Sequence, residues 1–241
     1  PGADSIAGEA WYNELILLTV PNDTTGNLYY LFSIGLRGSP SAGLYLTTID
    51  MSINSGIGGV IQQNVQIDNI EYGDCLTTIQ HGNGKDWWLI IKKSIFPFTF
   101  YNRFYVYYVS KNTIVKLPDQ DFNDASDCDI QKLIMHPSGN KFMLINTRGY
   151  MSEFDFNRCN GSISLNRNIY PEIGSFARPF WSGAYSPNGN VFYIGRTSYG
   201  GIGGDFNYLL QYDLTSVDIP NSCDTLDTTM YPIADCGDLR L

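Results

Sequence analysis

The chain is poor in positive charge, in histidine and in glutamate, and each shortage closes off a class of function. Lysine and arginine number 15 against 24 aspartates and glutamates, a net charge of −9. Lys92-Lys93 is the only adjacent basic pair. Nucleic-acid binders neutralise phosphates with clustered cations, and anionic membrane surfaces attract the same clusters, so neither partner fits. No apolar run reaches the roughly 18 residues that a helix needs to span a bilayer. The two histidines, His81 and His136, are too few for a His-rich metal site. There is no Gly-x-Ser-x-Gly elbow leading into a helix, so acyl-transfer chemistry has no nucleophile. Only five glutamates occur (Glu9, Glu14, Glu71, Glu153 and Glu172), and no pair of carboxylates for glycoside hydrolysis can be read from them. Charged residues are 16% of the chain, and alanine, glutamate and lysine are too scarce for a helical protein.

The five cysteines, Cys75, Cys128, Cys159, Cys223 and Cys236, never approach a Cys-x-x-Cys spacing, which excludes a zinc knuckle or a thioredoxin-type site. Dispersed in an acidic, Tyr- and Asn-rich chain, they suit an oxidising compartment with one or two disulfides; reduced core thiols are the alternative. Cys75, Cys128 and Cys236 precede the first strand of a repeat, and Cys159 and Cys223 follow a last strand. Pairing between the two sets would staple neighbouring repeats, as Cys128 with Cys159 or Cys223 with Cys236. The odd count leaves one cysteine over.

What the chain does have is 17 tyrosines, 24 glycines and a repeat. Leu133–Asn160 and Gly183–Asp213 share a pattern of apolar strand, Pro/Gly/Asn turn, apolar strand, loop, and a strand ending near Asp. Leu76–Ser110 is a third copy, and Leu15–Met51 a looser fourth. The turn anchors His81, His136 and Ser186 stand 55 and 50 residues apart. That period, with loops too short for crossover helices, predicts antiparallel four-stranded β-propeller blades in an all-β fold. Asn83-Gly84, Ser138-Gly139 and Asn188-Gly189 supply the positive φ of tight hairpins.

The expected architecture is a single propeller domain over 1–241, incomplete at both ends. Its blades would cover 11–60, 72–118, 129–170 and 180–220, with another beginning at 235–241. Asp235-Cys236-Gly237 resembles Asp74-Cys75-Leu76 and Asp127-Cys128-Asp129. Four blades and a beginning suggest part of a seven-bladed ring whose remaining blades lie in a longer parent protein; a four-bladed closure is the alternative. The chain opens at Pro1 with no initiator methionine, which reads as a processed N-terminus.

Several motifs invite chemistry and have plainer explanations. Trp87-Trp88 could stack a sugar, but aligns with Phe142-Met143 and Phe192-Tyr193, interior strand positions that predict core packing. His81 and His136 occupy equivalent turn positions, consistent with a shared capping role. Asp119-Gln-Asp121-Phe-Asn123-Asp124 opens like a calcium loop, yet places Asp124 where glycine is required and Ile130 where glutamate is required, so calcium is unsupported and a solvated loop is expected. Gly56–Gly59 and Gly200–Gly204 lead to strands rather than helix N-termini and read as loops, not phosphate cradles. No catalytic, cofactor-binding or metal-binding residue is assigned.

The octet His81-Gly-Asn-Gly-Lys-Asp-Trp-Trp88, preceded by Leu76-Thr-Thr, resembles a signature of large secreted Bacteroidota proteins. These end in gliding-motility-associated or type IX secretion sorting domains. Further matches are Gly43-Leu44-Tyr45 leading to Ile49–Asn54, then Gly56-Ile57-Gly58, Phe154–Gly161 and Tyr185-Ser186-Pro187-Asn188-Gly189. The resemblance runs from about Leu15 onward and implies a seven-bladed, WD-like or lactonase-like propeller in an exported surface protein. Asp-Ser/Thr triplets at Asp4, Asp23, Asp224 and Asp227 resemble that phylum's O-glycan acceptors, making Ser5, Thr24, Thr225 and Thr228 candidate glycosylation sites.

The expected function is a non-catalytic interaction or scaffold module at the cell surface, without a cofactor. It would contact a protein or glycan, among them the secretion or motility machinery. A lactonase-like hydrolase with a metal in the central channel is one alternative, a glycan-binding adhesin module another.

Overall fold

The computed structural model describes residues 5–8, 14–36, 38–93, 102–122, 131–170, 179–198 and 206–230. Among them the chain is all-β: seventeen strands in four antiparallel sheets, with single 3-10 turns at Asn54–Gly56 and Pro220–Ser222 as its helical content. No helix in this set is long and apolar enough to cross a membrane.

Blade 1 comprises β1 (Leu15–Thr19), β2 (Leu28–Gly35), β3 (Gly43–Asp50) and β4 (Gly59–Asp68). Blade 2 comprises β5 (Tyr72–Gln80), β6 (Trp87–Lys93), β7 (Asn102–Val109) and β8 (Ile114–Lys116), and a short β9 (Gln120–Phe122) also pairs with β7. Blade 3 is β10 (Gln131–Met135), β11 (Lys141–Asn146), β12 (Met151–Phe156) and β13 (Ile163–Tyr170). Blade 4 is β14 (Phe180–Tyr185), β15 (Val191–Ser198), β16 (Phe206–Asp213) and β17 (Asp224–Met230). Each is a meander in which neighbours in sequence are neighbours in the sheet, the blade unit of a β-propeller. Two strands reach past the expected blade limits: β4 continues beyond 60 to Asp68, and β17 lies wholly beyond 220. The segment 235–241, Gly200–Gly204, Cys128 and Cys236 lie outside the described residues.

The chain divides into two compact units. The first is Pro1–Pro97, Arg103–Gln120 and Arg158–Gly161; the second is Phe98–Asn102, Asp121–Asn157 and Ser162–Leu241. In the first, Phe32, Ile34, Leu44 and Leu46 of blade 1 meet Leu76, Leu89, Ile91 and Tyr107 of blade 2 in one core. In the second, Met143, Ile145 and Met151 of blade 3 meet Phe192, Ile194, Leu210 and Tyr212 of blade 4. Strand alternation accounts for these sets, because residues two apart share a face. Second strands are apolar at both parities, as in Trp87–Lys93, where Trp88, Leu89, Ile90 and Ile91 are all buried.

Candidate functional site

The octet at His81 builds the turn between β5 and β6, and its polar atoms are used within the turn or against the loop beside it. His81 N–H donates to the Asp86 carbonyl at 2.8 Å, closing the hairpin. The His81 Nδ1 accepts the Asn83 N–H at 3.0 Å, which places the ring proton of neutral His81 on Nε2. Asn83 Oδ1 accepts the N–H groups of Lys85 and Asp86 at 2.9 and 3.1 Å. The Asp86 Oδ2 accepts from Asn83 Nδ2 and from the Tyr108 hydroxyl, both at 2.6 Å. That contact holds the Tyr108 phenol above its ordinary value.

The tryptophans serve packing, as their alignment predicts. Trp87, Phe142 and Phe192 are equivalent, each opposite the last residue of the preceding strand. Trp88 is buried and its indole N–H donates to the Arg158 carbonyl at 2.8 Å. The same carbonyl accepts the Gly82 N–H at 2.9 Å, and Arg158 Nε donates to the Gln80 carbonyl at 2.7 Å. Gly161 closes this joint, since a Cβ there would lie 2.7 Å from Leu117 and 2.9 Å from the Trp88 ring. Trp87 is half-buried and donates to the Thr19 carbonyl of blade 1 at 3.1 Å.

In the second unit the equivalent turn carries His136. Its Nδ1 accepts the Ser138 N–H at 3.1 Å and stands 2.8 Å from the Ser138 hydroxyl, the capping role expected for both histidines. The ring lies edge-on to Tyr185, with centroids 4.8 Å apart. The Tyr185 hydroxyl in turn donates to Glu153 Oε1 at 3.2 Å. Glu153 is 1% exposed and was not distinguished by the sequence. It sits opposite Arg167 in the β12–β13 register, with Arg167 Nε 2.9 Å and Lys141 Nζ 3.6 Å from Oε2. Burial, and then the Glu153 charge, pushes the Tyr185 phenol well above its ordinary value. A carboxylate held by two cations and a phenol is a blade-to-blade tie rather than a general base. Beside it, Ile134, Met135, Pro137, Gly183, Ala184, Tyr185 and Pro187 line a cleft of about 450 Å³ between β10 and β14. Its lining side chains, the Tyr185 hydroxyl aside, are apolar.

A second buried polar group in the first unit was equally unforeseen. Asp68 Oδ1 and Oδ2 each stand 2.7 Å from the Tyr72 hydroxyl, and Tyr107 donates to the same carboxylate and meets Tyr72. Both tyrosines are buried, and burial raises both phenols far above the ordinary range, Tyr72 further through Tyr107 and Tyr107 further through Asp68. These residues come from β4, β5 and β7, so no local motif announces them. The signal that did exist was small: Glu153 occupies the repeat position held by Tyr108 and Gln211, a charge where an interior strand residue belongs.

Asp119, first residue of the calcium-like loop, is paired to Arg103 at 3.0 Å and to Lys116, and Gln120–Phe122 is a strand rather than a solvated loop. Asn123, Asp124 and Ile130 lie outside the described residues, as do Glu9 and Glu172. Gly56–Gly59 forms the expected turn, with φ of 86° at Gly56 and 83° at Gly58. Ser5, Thr24, Thr225 and Thr228 are exposed. Each proposed cysteine pair has one member, Cys128 or Cys236, outside the described residues. Cys159 is exposed and Cys223 half-buried, its thiol against the Tyr212 hydroxyl. Among the described residues no group of three or more His, Cys, Asp or Glu side chains could hold a metal ion.

No protein-family model matches the chain, and no curated protein does. Solved structures with similar folds are known. Sqt1 of Chaetomium thermophilum, solved bound to the N-terminus of a ribosomal protein, is 17% identical with a TM-score of 0.47; the match covers 94% of this chain and 54% of that one. The chain thus spans about half of that protein's length. A candidate 6-phosphogluconolactonase of Bacteroides uniformis is 12% identical, TM-score 0.46, over 89% of this chain and 71% of that one. An endo-arabinase of Bacteroides thetaiotaomicron is 11% identical, TM-score 0.46, over 92% and 84%. Similarity at this level assigns neither activity nor partner.

Proposed function

We propose that the chain is a non-catalytic interaction module of an exported cell-surface protein, offering its blade edges to a protein or glycan partner. One observation carries this reading: the side chains best suited to chemistry at the turn edge are committed to their own turns. His81 and His136 each give Nδ1 to a backbone N–H, and Ser186 Oγ accepts the Val191 N–H at 3.0 Å. The cleft beside Pro137 and Pro187, lined mainly by apolar side chains, is a surface for contact rather than for proton transfer. The same reading places the chain in a larger, seven-bladed ring. Tyr193 and Leu209 of blade 4 are half-buried, whereas their equivalents in blade 3, Met143 and Met151, are fully buried against blade 4.

Metal analysis of the purified protein, run beside a panel of lactones and arabinans, tests the non-catalytic part. The expected outcome is no stoichiometric metal and no turnover above background. Tightly held calcium or zinc at one per chain, together with lactone hydrolysis, would replace this reading with the hydrolase. Protease treatment of intact cells tests the location, and protection until lysis would overturn export.

A further inference from the structure

Blade 1 has a face turned away from blade 2. Phe32, Ile34, Leu44 and Leu46 point into the shared core, so Ser33, Tyr45 and Thr47 point the other way. They are nevertheless only 1%, 9% and 1% exposed. The segment Ser5–Gly8 reaches this side of the sheet, held at one end from β4 and at the other against β2. Asn64 engages it with both ends of its amide: Nδ2 donates to the Ser5 carbonyl at 3.0 Å, and Oδ1 accepts the Ala7 N–H at 2.9 Å. A carbonyl and the N–H two residues later are the groups through which one strand reads its neighbour. Gln63 Nε2 donates to the same Ser5 carbonyl. Asn64 is set up for this by an unusual backbone, φ 50° in the irregular stretch of β4, with its own N–H given to Thr47 Oγ1 at 3.1 Å. At the other end Gly8, φ 105°, passes so close to β2 that a Cβ would lie 2.1 Å from the Ile34 carbonyl.

We propose that this face of blade 1 is a peptide-docking site read through the backbone by Asn64, and that Ser5–Gly8 is its occupant in cis. Because Asn64 contacts only main-chain atoms, the site selects an extended segment with small residues at the close-approach end rather than one particular side chain. A tethered occupant competes with any free one, and the apparent affinity for a free segment falls with the fraction of time the site stands vacated. The proposal competes with the ring at this one face, since a further blade packed against blade 1 would need the surface that Ser5–Gly8 covers.

The test uses a labelled peptide with the sequence of residues 1–10 and the full chain in four forms: wild type, each single variant below and the two combined. Ala7→Pro removes the N–H that Asn64 accepts and leaves the site itself intact. Asn64→Gly removes the reader while keeping a residue at ease with positive φ. The Ala7→Pro chain should bind the peptide about tenfold tighter than the wild type, as a site freed from its tethered competitor does. Adding Asn64→Gly should abolish that binding. Equal binding by the wild type and Ala7→Pro, with unchanged melting, overturns the proposal. Should Ala7→Pro melt early, exchange of the Ala7 amide in the Asn64→Gly chain decides: faster exchange with β2 and β3 still protected supports the site, and unchanged protection removes it.

Discussion

Asp23 shows how much one side chain contributes to a turn. Its Oδ1 accepts the Thr25 N–H at 3.1 Å and the Thr25 hydroxyl at 2.7 Å, while Oδ2 accepts the N–H groups of Asn27 and Leu28 at 2.9 and 3.0 Å. The Leu28 N–H, then the Thr25 hydroxyl, hold its carboxyl down to about 2 from an ordinary value of 3.8. A depressed acid stabilises the fold at pH values above its unfolded pKa, and the contribution is lost as pH falls through the folded one. The melting temperature of Asp23→Ala should therefore fall below that of the wild type at neutral pH. The gap should close as the pH is lowered from about 4 towards 2, because the unfolded chain takes up the proton first. A gap that stays constant over that window would show that Asp23 acts without its charge. Asp213 follows the same chemistry, lowered first by the Thr215 hydroxyl.

Turns also set how neighbouring blades meet. Gly189, in the β14–β15 turn, has φ 75°, and a Cβ there would lie 1.9 Å from His136 Nε2. Gly189→Ala meets two penalties, the left-handed backbone and the clash, and should destabilise by about 2–4 kcal/mol, combining a positive-φ cost with overpacking. Adding His136→Ala should recover the clash and not the backbone strain, so thermal melts of the double variant should fall between the two extremes. Full recovery would mean that φ strain contributes nothing. This close approach was legible only in part. Asn188-Gly189 announced a tight turn, but that the glycine also makes room for a histidine fifty residues earlier cannot be read from a turn motif. The second and third strands were legible because their apolar residues and turn signals are local. Strands β4 and β17 were not, since exposed Gln62 and Gln66, or Asp224, Asp227 and Thr228, interrupt their apolar residues at a sheet margin. The Asp68–Tyr72–Tyr107 group was hidden for a different reason, because the hydroxyl and carboxylate that meet are brought together by the fold.

At the scale of the molecule, the export reading makes a chemical demand. Protein recovered from an oxidising surface should yield at least one of the linked peptides Cys128–Cys159 and Cys223–Cys236 on non-reducing mapping. Alkylation of all five cysteines before reduction would remove the disulfide part of that reading. The repeat period, read from three turn anchors, was enough to predict four meanders, because a blade's identity lies in its local pairing. Which surface meets a partner was not, since that depends on what each turn leaves over. Asp23, His81, His136 and Ser186 finish the first turn of successive blades with a carboxylate, two imidazoles and a hydroxyl. Such redundancy frees sequence drift at a rim from the folding of the strands: a blade can exchange its closing residue, and with it the face it offers, wherever that residue does not also bear on the next blade as His136 does. A lineage carrying this repeat would accordingly diversify fastest at those rims, and two members could share every strand while having no ligand in common.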